Sequence, residues 1–124
     1  MDNRAIGVFD SGIGGLTVVK ELMKILPNEK IVYFGDTARV PYGSRSEETI
    51  KKFSKECISF LDKKDIKSLI IACNTVSAVA IEMLKEEFDM HILGVIIPGS
   101  KMASEITNNN RIGIIGTNAT VNSG

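Results

Sequence analysis

Short apolar runs alternate with helical stripes along this chain, and that alternation is the strongest restriction on its fold. Ala5 to Phe9 is the first apolar run. Val18, Val19, Leu22, Ile25 and Leu26 then recur at helical spacing until Pro27-Asn28. Ile31 to Phe34 reads as a second strand, closed by Gly35-Asp36. After a loop holding Pro41-Tyr42-Gly43, Ser44 and Glu47 have the spacing of a capping box, which predicts a helix start nearby. Ile50, Phe53, Cys57, Phe60 and Leu61 form the expected apolar face of that helix. Leu69 to Ala72 is a third strand, followed by a stripe of Val76, Val79, Ala80, Met83 and Leu84. Ile92 to Ile97 and Arg111 to Gly116 read as fourth and fifth strands, with Pro98 suited to the first turn of a helix between them.

Strands that alternate with helices imply a parallel sheet with right-handed crossovers. Near-continuous apolar strands agree, because such strands are buried on both sides. The expected fold class is therefore α/β: a doubly wound parallel sheet with helices on both faces. The polar, turn-prone Asn108-Asn109-Asn110 is the candidate hinge.

Composition excludes several classes. With 124 residues, the chain has enough material for one core. Hydrophobic residues at 44% against charged residues at 24% argue against disorder. A net charge of +0 without a basic stripe makes nucleic acid an unexpected partner. No apolar run approaches the roughly 20 residues that span a bilayer. Met1-Asp2-Asn3-Arg4 leads straight into a strand and does not resemble a secretory signal. The two cysteines, Cys57 and Cys73, form no CxxC pattern, so the reading is a reducing, cytoplasmic setting without a zinc site.

Chemistry concentrates at two strand ends. In an open parallel sheet the ligand crevice lies beyond the carboxyl ends of the strands. Cys73 stands where the third apolar run stops and a helical stripe begins. Asn74 and Thr75 follow it with hydrogen-bond donors, at a helix N-terminus that favours an anion. Its alternative is a small buried hydrophobe at a strand end. Cys57 lies inside a helical stripe and reads as structural. Asp10-Ser11-Gly12-Ile13-Gly14-Gly15 approaches a dinucleotide fingerprint, with Asp36 near the expected offset. It fails where Thr17 replaces the third glycine, and Asp10 would repel a pyrophosphate. A carboxylate and a hydroxyl at a crevice is the better reading, and a capped glycine turn the plain one. In the loop beyond Asp36, Tyr42, Gly43 and Ser44 can supply donors to a ligand carboxylate. His91 reads as a surface or edge residue.

Four segments in this order resemble glutamate racemase. They are Phe9-Asp10-Ser11-Gly12-Ile13-Gly14-Gly15-Leu16, Gly35-Asp36-Thr37-Ala38-Arg39-Val40-Pro41-Tyr42-Gly43, Ala72-Cys73-Asn74-Thr75 and Gly116-Thr117-Asn118-Ala119-Thr120-Val121. The resemblance implies cofactor-independent interconversion of L- and D-glutamate, supplying D-glutamate for peptidoglycan. Two cysteines would work on opposite faces of the substrate Cα, one as thiolate base and the other as thiol acid. Cys73 would be one of them, and Asp10 would assist proton transfer at its sulfur. Ser11, Asn74 and Thr75, with Asp10, would hold the α-substituents, Tyr42 and Gly43 the side-chain carboxylate, and Thr117 would lie near the site.

The same resemblance implies a chain of about twice this length, with the second cysteine in the part not represented here. Residues 1–107 would then be the N-terminal domain of a two-domain racemase, and residues 108–124 the hinge and first strand of the second. The isolated chain is expected to be inactive in racemisation. Expected partners are glutamate and no nucleic acid or membrane, with a homodimer as a candidate assembly. A glutamate-binding or self-associating fragment and a related aspartate racemase are the alternatives.

Overall fold

A computed structural model describes residues 1–124. Its centre is a parallel four-stranded sheet in the order β2-β1-β3-β4. The strands are β1 (Ala5–Asp10), β2 (Ile31–Gly35), β3 (Ile66–Ile71) and β4 (His91–Gly94). The helices are α1 (Leu16–Ile25), α2 (Glu47–Asp62), α3 (Asn74–Val79), α4 (Ile81–Glu87), α5 (Ile96–Ile106) and α6 (Asn118–Asn122). The doubly wound α/β class expected from the alternation is the one observed.

β1 is flanked on both sides, pairing Phe9 with Phe34 of β2 and with Ile71 of β3. All six of its residues are buried. Alternation along the strand sends Phe9 to one face and Ile6 and Val8 to the other. The core cluster collects Phe9, Leu69 and Ile71 with Ile50, Ile58 and Leu61 of α2, Val76 of α3 and Leu84 of α4. The right-handed crossover rule places α1 on the opposite face, where Leu22 is its buried residue.

Sequence order and space order diverge at β1. From β1 the chain steps outward to β2, then returns across β1 to β3. The ends of β1 and β3 therefore border a topological switch point, where adjacent loops part and leave a crevice. Asp10 closes β1 and Cys73 follows β3, so the topology brings the two together.

Several boundaries differ from the sequence reading. The cap of α2 is Ser46, whose Oγ accepts from the Thr49 amide, and not Ser44. On α2 the buried face runs through Ile50, Ser54, Cys57, Ile58 and Leu61, while Phe60 is 46% exposed and leans on Phe34. Ser54 is tolerated there because its hydroxyl donates to the Ile50 carbonyl at 2.7 Å. The stripe after Cys73 is divided between α3 and α4 at Ala80 (φ −118°, ψ −10°), yet Val76, Ala80 and Leu84 stay buried across the break. β4 stops at Gly94, and Ile96 and Ile97 open α5, with Pro98 in its first turn as expected. Residues 111–117 form no strand. No neighbouring strand offers them a ladder, and Ile114 and Ile115 are 81% and 100% exposed. No helix is long and apolar enough to cross a membrane.

Candidate active site

The cleft at the switch point has a volume of about 380 Å³, within the ordinary range of small-molecule sites. Asp10, Cys73, Asn74, Thr75 and Thr117 line it, together with Gly14, Thr17, Val18, Ala72 and Val95.

Local chain geometry explains how each group arrives there. Ala72 still bonds to the sheet, its amide donating to the Phe9 carbonyl at 2.8 Å. Cys73 then turns into α3 as its N-cap, and its Sγ accepts from the Val76 amide at 3.5 Å. The sulfur also lies 3.1 Å from Ser11 Oγ. The turn after β1 wraps around the Asp10 side chain, whose Oδ2 accepts from the Gly15 amide at 2.8 Å. A Cβ on Gly15 would lie 2.7 Å from Asp10 Cβ, so only glycine lets the turn close this tightly. Asp10 is 6% exposed and Cys73 is 6% exposed, so both are shielded from bulk water.

Thr75 Oγ1 and Thr117 Oγ1 are 2.8 Å apart, and Thr117 caps α6 by accepting from the Thr120 amide. Asn74 is exposed at the rim. The sequence candidates Asp10, Ser11, Cys73, Asn74, Thr75 and Thr117 thus converge on one place. Tyr42 and Gly43 do not line the cleft. The Tyr42 hydroxyl is buried and donates to Asp36 Oδ2 at 2.5 Å, while Gly43 stands behind Thr117, with room for no Cβ (2.4 Å to Thr117 Cγ2).

The arrangement offers a buried thiol, a buried carboxyl and several hydroxyls around an open cleft of small-molecule size. A thiolate there can take a proton from a weakly acidic C–H, and surrounding donors can stabilise the resulting negative charge. Gly14, Thr17, Val18 and Val95 are lining residues that the sequence does not single out. Thr17 reads there as a missing glycine, and Val95 as part of an overlong strand. Their signal is adjacency to the strand ends.

Cys57 behaves as the structural cysteine it was expected to be. It is 2% exposed, and burial, then the nearby Asp36 charge, push its thiol up to about 11. The unfolded thiol ionises near 9.0, so above that pH the unfolded chain loses a proton that the folded chain keeps. Stability should therefore fall between about pH 9 and about pH 11 and stop falling on this account above it. Urea midpoints across that range check this, with a flatter profile expected for Cys57→Ala. Equal slopes in the two proteins would count against the burial argument. His91 opens edge strand β4 and is exposed, as expected.

Among known proteins, a glutamate racemase of Geobacter metallireducens is 53% identical over 120 residues, covering 97% of this chain and 44% of the relative. The chain superposes on the glutamate racemase of Aquifex pyrophilus with a TM-score of 0.94 at 52% identity, covering 97% of this chain and 48% of that one. It also superposes on the Francisella tularensis glutamate racemase solved in complex with D-glutamate, with a TM-score of 0.88 at 52% identity, covering 99% and 46%. The chain thus spans under half the length of these relatives and corresponds to their N-terminal half. The Asp/Glu/Hydantoin racemase family model matches residues 6–124, nearly the entire chain. The chain belongs to the Asp/Glu/Hydantoin racemase family.

Proposed function

We propose that this cleft holds glutamate and that Cys73 exchanges a proton with its Cα, as one half of a two-base racemisation. The observation that carries the reading is the placement of Cys73 Sγ at the β3 end, 3.1 Å from Ser11 Oγ and in one cleft with Asp10. The similarity to glutamate racemases, one of them bound to D-glutamate, supports the choice of substrate.

The chemistry is a balanced proton transfer. The thiolate of Cys73 takes the Cα proton and becomes a thiol, leaving a carbanion that the cleft's hydroxyl donors stabilise. Inversion needs an acid on the opposite face. Cys57 does not serve, since it is buried among Asp36, Arg39 and Tyr42. The second thiol would come from outside these 124 residues, from a second domain beginning at the 108–124 segment. In that larger setting the product D-glutamate would serve peptidoglycan synthesis, in the cytoplasm.

Each glutamate enantiomer incubated with the pure chain in heavy water tests the reading. Cα deuteration of a single enantiomer with retained configuration is expected, without interconversion. Steady interconversion would show a complete two-base site within the chain. Exchange in neither enantiomer would remove Cys73 as a working base here.

A further inference from the structure

A buried polar cluster beside the cleft takes no part in this proton transfer. Three donors converge on Asp36 Oδ2: the Tyr42 hydroxyl at 2.5 Å, Arg39 Nε at 2.6 Å and Cys57 Sγ at 3.6 Å. Arg39 also reaches Glu56 at 2.5 Å and lays its guanidinium 4.1 Å from the centre of the Phe53 ring. Asp36 and Tyr42 are only 6% and 2% exposed. Apolar side chains of similar volume would fill such a space without the desolvation cost of a buried carboxylate. The cluster's position therefore matters more than its bulk.

Its two ends touch the cleft walls. The Asp36 amide donates to the Asp10 carbonyl at 2.9 Å, tying the cluster to the end of β1. At the other end Gly43 is pressed against Thr117, where a Cβ would meet Thr117 Cγ2 at 2.4 Å and Cβ at 2.5 Å. Thr117 in turn meets Thr75 across the cleft. Between these ends two side chains hold the loop: Arg39, through Asp36, Glu56 and the Phe53 ring, and Tyr42, through Asp36. Thr37, Ala38 and Pro41 are exposed, Val40 is 49% exposed, and Tyr42 is the one large side chain the loop buries.

We propose that the Asp36–Tyr42 hydrogen bond is a positioning device for the cleft: it seats the Thr37–Gly43 loop so that Gly43 holds Thr117 against Thr75. Neither Asp36 nor Tyr42 acts through its side chain on the substrate. They set the wall against which it binds. The effect on affinity rests on the reading of the cleft as a glutamate site. The mechanical coupling does not.

Tyr42→Phe separates the two. It keeps the ring, which packs 5.8 Å from Phe53, and removes only the hydroxyl. Amide hydrogen exchange of segments 37–45 and 117–122 should accelerate several-fold together, with β3 unchanged. The glutamate concentration that half-protects Cys73 against iodoacetamide should rise about tenfold, the equivalent of roughly one net hydrogen bond. The alkylation rate without glutamate should hold. Faster exchange in 37–45 with none in 117–122 overturns the proposal, as does a lowered melting temperature with both readouts unchanged. If glutamate fails to protect Cys73 even in the unaltered chain, the substrate reading falls, and the exchange result still decides the coupling.

Discussion

Cys73→Ser is expected to cut Cα deuteration of glutamate by about 10²–10⁴-fold, the range that a positioned acid–base group contributes. The substitution isolates proton chemistry from architecture. Cys73 is both the lining thiol of the cleft and the N-cap of α3, with Sγ accepting from the Val76 amide. Serine is a preferred N-cap, so its hydroxyl should keep α3 closed and the melting temperature at or above its original value. Its alkoxide is out of reach near neutrality, so the base is lost although shape and cap remain. Deuteration measured by mass spectrometry, beside a thermal melt, reads both. Retained exchange in a folded Cys73→Ser protein would move the base to another group, with Asp10 the first to examine.

Phe9→Ala should cost about 3–5 kcal/mol of folding stability, at the upper end of what truncating one core side chain removes. Phe9 is fully buried, in a strand flanked on both sides, and belongs to the central core cluster. The cavity would open beneath the residue that precedes Asp10, with sheet neighbours on either side unable to close it. A domain of ordinary stability holds about 5–15 kcal/mol, so the variant should be close to unfolding. Phe60→Ala, at a ring 46% exposed, is the internal comparison and should cost under about 1 kcal/mol. Urea denaturation of the two variants checks the ranking. Equal losses would mean that the β1–α2 layer is not the main source of stability.

How much is legible in the sequence varies with the range of the interaction involved. The β1 run is readable because continuous burial writes itself as continuous apolar sequence, and β2 and β3, in part only half-buried, are readable from their short β-branched and apolar stretches. Cys73 and Asp10 are readable because each breaks such a run where a helix begins. Boundaries are less so. Ser44 and Ser46 both precede a plausible helix, and the observed bond to Thr49 selects the second. Ile96 and Ile97 continue an apolar run, yet they open α5, since only the β4 ladder determines where pairing stops. Arg111 to Gly116 has strand-like residues without a strand beside it, and propensity alone builds no ladder.

The site shows the same division. Thr117 is reached only through the resemblance to glutamate racemase, whereas Asp10, Ser11, Asn74 and Thr75 belong to motifs whose chemistry can be named residue by residue. The Asp36–Arg39–Tyr42–Cys57 cluster does not, because Cys57 joins it from α2, a different element far along the chain. Periodicity identifies Cys57 as an inward-facing residue but carries no information on what it faces.

Alternating strand and helix patterns, and the placing of a thiol and a carboxylate at strand ends, were determined by the sequence alone. They follow from local preferences and from burial, which act along the chain. Which strand ends become neighbours was decided only by the tertiary structure. The order β2-β1-β3-β4 makes the ends of β1 and β3 adjacent, and with them Asp10, Ser11 and Cys73. The choice among strand orders depends on how all the helices share the two faces of one sheet, and no segment of sequence records that by itself.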